Sequence, residues 1–192
     1  ECKFTEFGIK EIQNTFNIWI IHELHKCEQS VSAAIENYKF NEAANTLYKF
    51  TWNIFCDWYI EFSKAIYFSD NEIEKEETRY TSSYVLNKLM IMLHPIMPFF
   101  TEHLWQEVDF INIKSDKKVI NSNWPSIDLP NKSNNEDIES LMQIISAIRS
   151  ARSELNVPVK SMLTIKYKDD QTQIKKIFST YDQTIESIAK VN

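Results

Sequence analysis

The chain of 192 residues holds one glycine, Gly8. Glycine is the residue that takes positive φ without penalty and lets backbone approach a phosphate closely. With none after position 8, glycine-rich nucleotide loops and two-residue hairpins are nearly excluded. What remains open is helices joined by polar loops. A hydrophobic share of 43%, with 13% aromatics, supplies a real core. A chain of this length buries roughly 70% of its unfolded surface without staples.

Hydrophobic spacing fills in that picture. In residues 9–38, Ile18, Ile21, Leu24, Val31, Ala34, Ile35 and Tyr38 recur at three- and four-residue steps, which is helix spacing. Asn14 or Thr15 is suited to cap its start. Residues 41–66 run without glycine or proline behind a capping Asn41. There Ala44, Leu47, Thr51, Ile54, Phe55, Trp58, Phe62 and Ala65 form one stripe, and Lys49, Asn53, Asp57, Glu61 and Lys64 a polar one. This predicts an amphipathic helix of about seven turns. SDNEIEKEET (69–78) reads as a solvated loop or exposed helix start. Helical spacing resumes over 79–94 through Tyr84, Leu86, Leu89, Met90 and Leu93, and again from Pro98 to Val108. An antiparallel bundle over residues 1–110 is the expected architecture.

The stretch LMIMLHPIMPFFTEHLWQ (89–106) carries Pro95 and Pro98 between two helical halves. Pro98 fits a helix's first turn, where its missing N–H costs little. His94, before Pro95, is biased away from helical backbone and is placed to face the last carbonyls. Phe99, Phe100, Leu104 and Trp105 are expected to pack this corner against the bundle. Residues 111–192 differ in texture. A loop-rich run with a short strand at 118–121 precedes a helix over 136–155. MLTIKYK (162–168) alternates like a strand, and a helix over 171–189 follows. The fold class is therefore mainly α, with a small C-terminal α/β appendage.

Charge is uneven. The net value is −6, yet residues 149–192 carry eight basic and five acidic side chains. An acidic chain is a poor non-specific nucleic-acid binder, whereas a local basic patch still permits a specific one. Three cysteines, Cys2, Cys27 and Cys56, odd in number and far apart, suggest reduced thiols in the cytoplasm. No signal peptide or membrane-length apolar run is visible. Glu1 at the first position suggests a piece of a longer chain.

No catalytic constellation emerges. HELHKC (22–27) sets His22 and His25 three apart rather than four, with Cys27 aimed elsewhere, which argues against zinc. Asp57 and Glu61 read as an exposed charge ladder rather than an acid–base pair. Arg149 and Arg152 lie three apart on one helix face, suited either to surface ion pairs or to a phosphate or base clamp. Exposed aromatics beside cations can stack on unpaired bases. Trp52, with Cys56 and Tyr59, widens the apolar stripe.

The segments at 36–64, 89–106, 123–125 (NWP) and 145–160 resemble, in order and separation, the anticodon-binding region of the valyl-tRNA synthetases. LHPIMPFFTEHLW is similar to a segment shared by the valine, isoleucine and leucine class I enzymes. FCDWYIE and ARSELNVPVK favour valine. Two departures stand out: His103 replaces a usual acidic residue, and no NKLWNA-like segment precedes the region.

The resemblance implies a helical bundle that grips the anticodon arm of valine tRNA, in a monomer. Catalytic and editing domains would lie upstream, ATP and magnesium would belong to the catalytic domain, and no cofactor or metal is expected in this chain. The chain alone is expected to catalyse nothing. Arg149, Arg152, Trp19, Lys49, Trp52 and Asn53 are the RNA-contact candidates. An isoleucyl-tRNA synthetase domain and a helical protein-interaction module without RNA binding are the alternatives.

Overall fold

A computed structural model describes residues 8–108, 118–132, 137–158, 161–166 and 172–191. The chain divides into two compact units, Glu1–Asn134 and Asn135–Asn192.

The first unit is built around α1 (Thr15–Glu36). Asn14 caps it, its side chain accepting from the amides of Phe16 (2.9 Å) and Asn17 (3.3 Å). The amino-terminal half of α1 is buried all round, Phe16 to Ile21 without a break, as befits a central helix. It packs against α2 (Phe40–Lys49), the π-helical segment Phe50–Tyr59 and α4 (Glu72–Leu93). Helix α3 (Ile60–Tyr67) continues the π segment. Asn71 caps α4 through the amide of Glu74, so SDNEIEKEET contains a helix start.

The expected helix over 41–66 forms, with its register changed in the middle. The amide of Ile60 reaches the carbonyl of Phe55, five residues back. Buried positions run Leu47, Phe50, Phe55, Tyr59, Phe62, Ile66, with a five-residue step between Phe50 and Phe55. Hydroxyls occupy carbonyls at both ends of the segment: Thr51 Oγ1 donates to Leu47 O (2.7 Å) and Ser63 Oγ to Tyr59 O (2.7 Å). The predicted stripe shifts accordingly. Thr51, Ile54 and Trp58 are half-buried, Tyr59 is fully buried and Trp52 stands in solvent. The helix starts at Phe40 behind Lys39, which makes no side-chain cap bond, so Asn41 lies inside it and not at its cap.

Aromatic rings and one polar network lock these helices. Phe62 stacks on Phe16 (centroids 4.4 Å apart) and meets Trp19 edge-on (5.9 Å). Beside them lies buried Glu77. Its Oε1 accepts from the Asn14 amide and Asn17 Nδ2, both at 2.9 Å, and its Oε2 from the Gln13 amide at 3.1 Å. Tyr59 OH donates to Asn17 Oδ1 at 2.8 Å. A carboxylate at a helix amino terminus answers both the open amides and the helix dipole.

The two-proline corner joins α4 to α5 (Pro98–Glu107), and Pro98 takes the first helical position as expected. His94 stays helical despite Pro95 (φ −55°, ψ −40°). Leu93 O accepts from both Ile96 and Met97 (2.9 Å each), so the turn keeps its bonds. The His94 ring turns to Thr101 Oγ1 (2.8 Å) rather than to the last carbonyls. Trp105 packs with Met90 and Val119, but Phe99 is 91% and Phe100 52% exposed. Two residues from Thr101 on a helix is about half a turn, so a face that buries Thr101 and Trp105 turns Phe99 outward.

Residues 118–132 belong with the first unit, which moves the boundary from the expected 110 to 134. Val119–Asn121 is one 3-10 turn, not a strand. Beyond it, Asp128 N donates to Tyr84 OH (3.3 Å) and Asn131 N to Lys10 O (3.3 Å). The second unit pairs α6 (Asp137–Glu154) with α7 (Thr172–Ala189), which kinks at Tyr181. The expected strand at 162–168 reduces, among the described residues, to a single parallel bridge, Leu163 with Val191. Tyr167 and Lys168 lie outside the described residues. Mainly α holds, and the appendage shows no sheet among the described residues.

Candidate nucleic-acid interface

Helix α1 ends in a Schellman motif. Tyr38 N donates to Ile35 O (3.0 Å) and Lys39 N to Ala34 O (2.8 Å). The position that favours glycine holds Tyr38, at φ 58°. This tight exit brings the first turn of α2 against the last turns of α1. The two-proline corner and Trp124 complete a groove of about 570 Å³. Its walls are Ser32, Ile35 and Glu36 from α1, Phe40 and Ala43 from α2, Pro95 and Ile96 from the corner, and Trp124 from the NWP loop.

The groove is apolar and held from below. Trp124 Nε1 donates to Ser32 Oγ (2.8 Å), which donates to Glu28 Oε1 (2.7 Å). This relay fixes the indole plane, because the hydroxyl accepts one bond while giving its single proton away. Tyr38 (82% exposed) meets Phe40 (60%) edge-to-face, centroids 6.4 Å apart. Ile96, Met97, Phe99 and Phe100 add exposed apolar surface at the corner. Glu36 is the ionisable side chain of the lining. Such a site suits flat apolar faces with an N–H edge, and not phosphate.

The sequence-derived candidates divide. Trp19 is 2% exposed and edge-on to Phe62, so it is core and cannot stack on a base. Lys49, Trp52 and Asn53 are exposed together on α2 and the π segment, beside exposed Tyr48.

In the second unit Arg149 and Arg152 do line one cleft of about 550 Å³, with Asn156 and Lys190. Arg152 closes that unit from within. Its Nη1 donates to Lys190 O (2.9 Å) and its Nη2 to Pro158 O (3.0 Å) and Ser161 O (2.9 Å). A guanidinium fork matched to three carbonyls is a staple, while Arg149 stays exposed.

The one thiol and two histidines of HELHKC form no metal or catalytic cluster among the described residues. Burial pushes the Cys27 thiol up to about 12. Burial, with Lys26 and His25 nearby, lowers His22. Among the described residues no three His, Cys, Asp or Glu side chains gather as metal ligands.

Sequence reasoning missed the groove because its parts come from four separated segments. NWP was the one signal for Trp124. Tyr38 and Phe40 had none, since their exposure follows from the end of α1 and not from periodicity.

Comparison with known proteins bears on the same residues. The family model described as the anticodon-binding domain of tRNA ligase matches residues 17–167, a span that contains the whole groove. A valine–tRNA ligase of Brucella suis is 37% identical over 97% of this chain and 20% of its own length. Those of Rhizobium meliloti (36%; 92% and 19%) and Pelagibacter ubique (32%; 99% and 22%) are comparable. The chain spans about a fifth of the length of these curated relatives. With the match covering most of its length, the chain belongs to the family of anticodon-binding domains of tRNA ligases.

Proposed function

We propose that this chain grips the anticodon arm of valine tRNA as part of a longer valine–tRNA ligase, with the aminoacylation chemistry carried elsewhere in that protein. The groove walled by Phe40, Ile96 and Trp124 carries the reading. Proteins that read RNA sequence take unstacked loop bases onto aromatic faces and bond their edges. Each such stack contributes about 1–3 kcal/mol. Trp124, fixed by Ser32, offers a rigid platform, and rigid platforms lose little entropy on binding. Phosphate contacts then fall to cations outside the groove, with exposed Lys49 and Arg149 the sequence-derived candidates. The grip sets the register in which a distant acceptor end meets the catalytic domain, where ATP and magnesium would act. Valine rather than isoleucine rests on the names of the relatives.

The test is binding of the 192-residue chain to RNA hairpins carrying valine or isoleucine anticodon loops, read by fluorescence anisotropy across a salt series. Valine-loop preference is expected, with Trp124→Ala weakening it about tenfold. Equal affinity for both loops would move the chain to a general anticodon-arm binder. No binding at low salt would leave the acidic chain as a protein-interaction module.

A further inference from the structure

We infer that Tyr38 is a positioning residue of this site, held in a strained backbone so that its ring aims Phe40 at a bound base. The inference rests on the RNA-binding reading and goes beyond it.

Three non-glycine residues take positive φ among the described residues: Tyr38 (58°), Asn156 (52°) and Lys190 (56°). Tyr38 and Asn156 sit at the same point of the same motif. Asn156 follows α6, with its amide on Ser153 O (3.1 Å) and Val157 N on Arg152 O (2.9 Å). Asparagine tolerates the left-handed region; a bulky aromatic there is an outlier.

The fold gives Tyr38 little in return for that conformation. Its side chain is 82% exposed and lies outside the hydrophobic core. Its ring contact is Phe40, at 6.4 Å and an interplanar angle of 83°. Strain kept at an exposed site points to function.

The geometry says which function. Phe40 lines the groove from the first turn of α2, which has no side-chain cap bond to hold it. An edge-to-face neighbour is a favoured aromatic arrangement, and it fixes the plane of the second ring. Tyr38, two residues earlier and pinned by the Schellman bonds, supplies that neighbour from the helix exit. Tyr38 takes its left-handed backbone at this exit (φ 58°), and its ring meets that of Phe40 there. A glycine there would keep the turn and lose the ring.

The experiment pairs affinity with stability. Tyr38→Gly, Tyr38→Asn and Tyr38→Phe are compared with the parent chain for binding a valine-anticodon RNA hairpin and for thermal unfolding. The glycine and asparagine variants should unfold at the parent temperature or above it. They should bind about five- to tenfold more weakly. Tyr38→Phe should restore parent affinity. In a Phe40→Ala background, Tyr38→Gly should have no further effect, because the tyrosine acts through Phe40.

Parent binding with undiminished affinity in Tyr38→Gly overturns the inference and leaves the RNA reading intact. An additional loss in the Phe40→Ala background also overturns it, since it would make Tyr38 a direct contact. Failure of the parent chain to bind removes the RNA reading and the inference together.

Discussion

Glu77 is where the first unit is most exposed to a single change. Its carboxylate takes three hydrogen bonds, from the Gln13 and Asn14 amides and from Asn17 Nδ2, and it is 4% exposed. Glu77→Gln keeps the volume but turns one acceptor into a donor. With the amide oxygen left on Asn14 and Asn17, the new NH2 group faces the Gln13 amide, donor against donor. One charge-assisted bond is lost, worth about 1.5–3 kcal/mol. The remaining bonds lose their charge assistance, and α1 loses a carboxylate near its positive end, worth about 0.3–1 kcal/mol. About 2–4 kcal/mol is expected for Glu77→Gln. Glu77→Ala strips all three neutral donors of their partner, at about 1–3 kcal/mol for each one left unsatisfied, and should cost at least as much as Glu77→Gln. For a unit of this size, near 134 residues, each kcal/mol shifts Tm by about 3 °C.

The assay is built into the sequence. Trp19, Trp52, Trp58, Trp105 and Trp124 are the five tryptophans, and all lie before residue 134. Tryptophan fluorescence in urea therefore reports the first unit by itself, which matters because a chain of two units need not unfold in one step. The glutamine variant should shift the fluorescence midpoint with an unchanged m-value. Asn17→Ala in the Glu77→Gln background should cost less than in the parent, since the two share a bond. A loss under about 1 kcal/mol in both Glu77 variants would refute the view that this carboxylate organises the start of α1.

Arg152→Lys should loosen the second unit by about 1–3 kcal/mol, read as faster amide hydrogen exchange at Val157, Ser161 and Leu163. At alkaline pH the buried acids set the trend. Burial raises Tyr84 from 10.0 to about 12 and Cys27 from 9.0 to about 12. The folded chain holds these protons more tightly than the unfolded one. Their stabilisation is complete below pH 9 and is lost as pH rises to 12, and Tyr84→Phe should flatten that decline in urea titrations. Iodoacetamide at neutral pH, followed by peptide mapping, should label half-buried Cys56 well before buried Cys27, whose thiolate is the scarcer of the two.

What was legible in the sequence follows the reach of each signal. Helix positions came through because their period is local. Pro98 at a helix start and Asn14 as a cap came through because backbone chemistry fixes such positions within a turn. The π register did not. A 3.6-residue stripe through Thr51, Ile54 and Trp58 is as good on paper as one that steps from Phe50 to Phe55. Packing chose between them: the five-residue step brings Phe55 and Tyr59 inward and seats the Tyr59 hydroxyl on Asn17. The outward turn of Phe99 and the inward turn of Trp19 have the same origin, because composition says that a ring wants cover and only tertiary contact says which ring receives it.

The scarcity of glycine also has a consequence in the folded chain. Helices α1 and α6 both end in Schellman turns without glycine. At α6 an asparagine resolves the conflict cheaply, beside an Arg152 that ties the adjoining segment through Pro158 O and Ser161 O and the end of α7 through Lys190 O. At α1 a tyrosine leaves it unresolved and stands in solvent at the mouth of the apolar groove. A chain that avoids glycine must place side chains where turns would otherwise be bare. In the first unit that side chain is an aromatic ring, set against a second aromatic ring that lines the groove of an anticodon-binding domain.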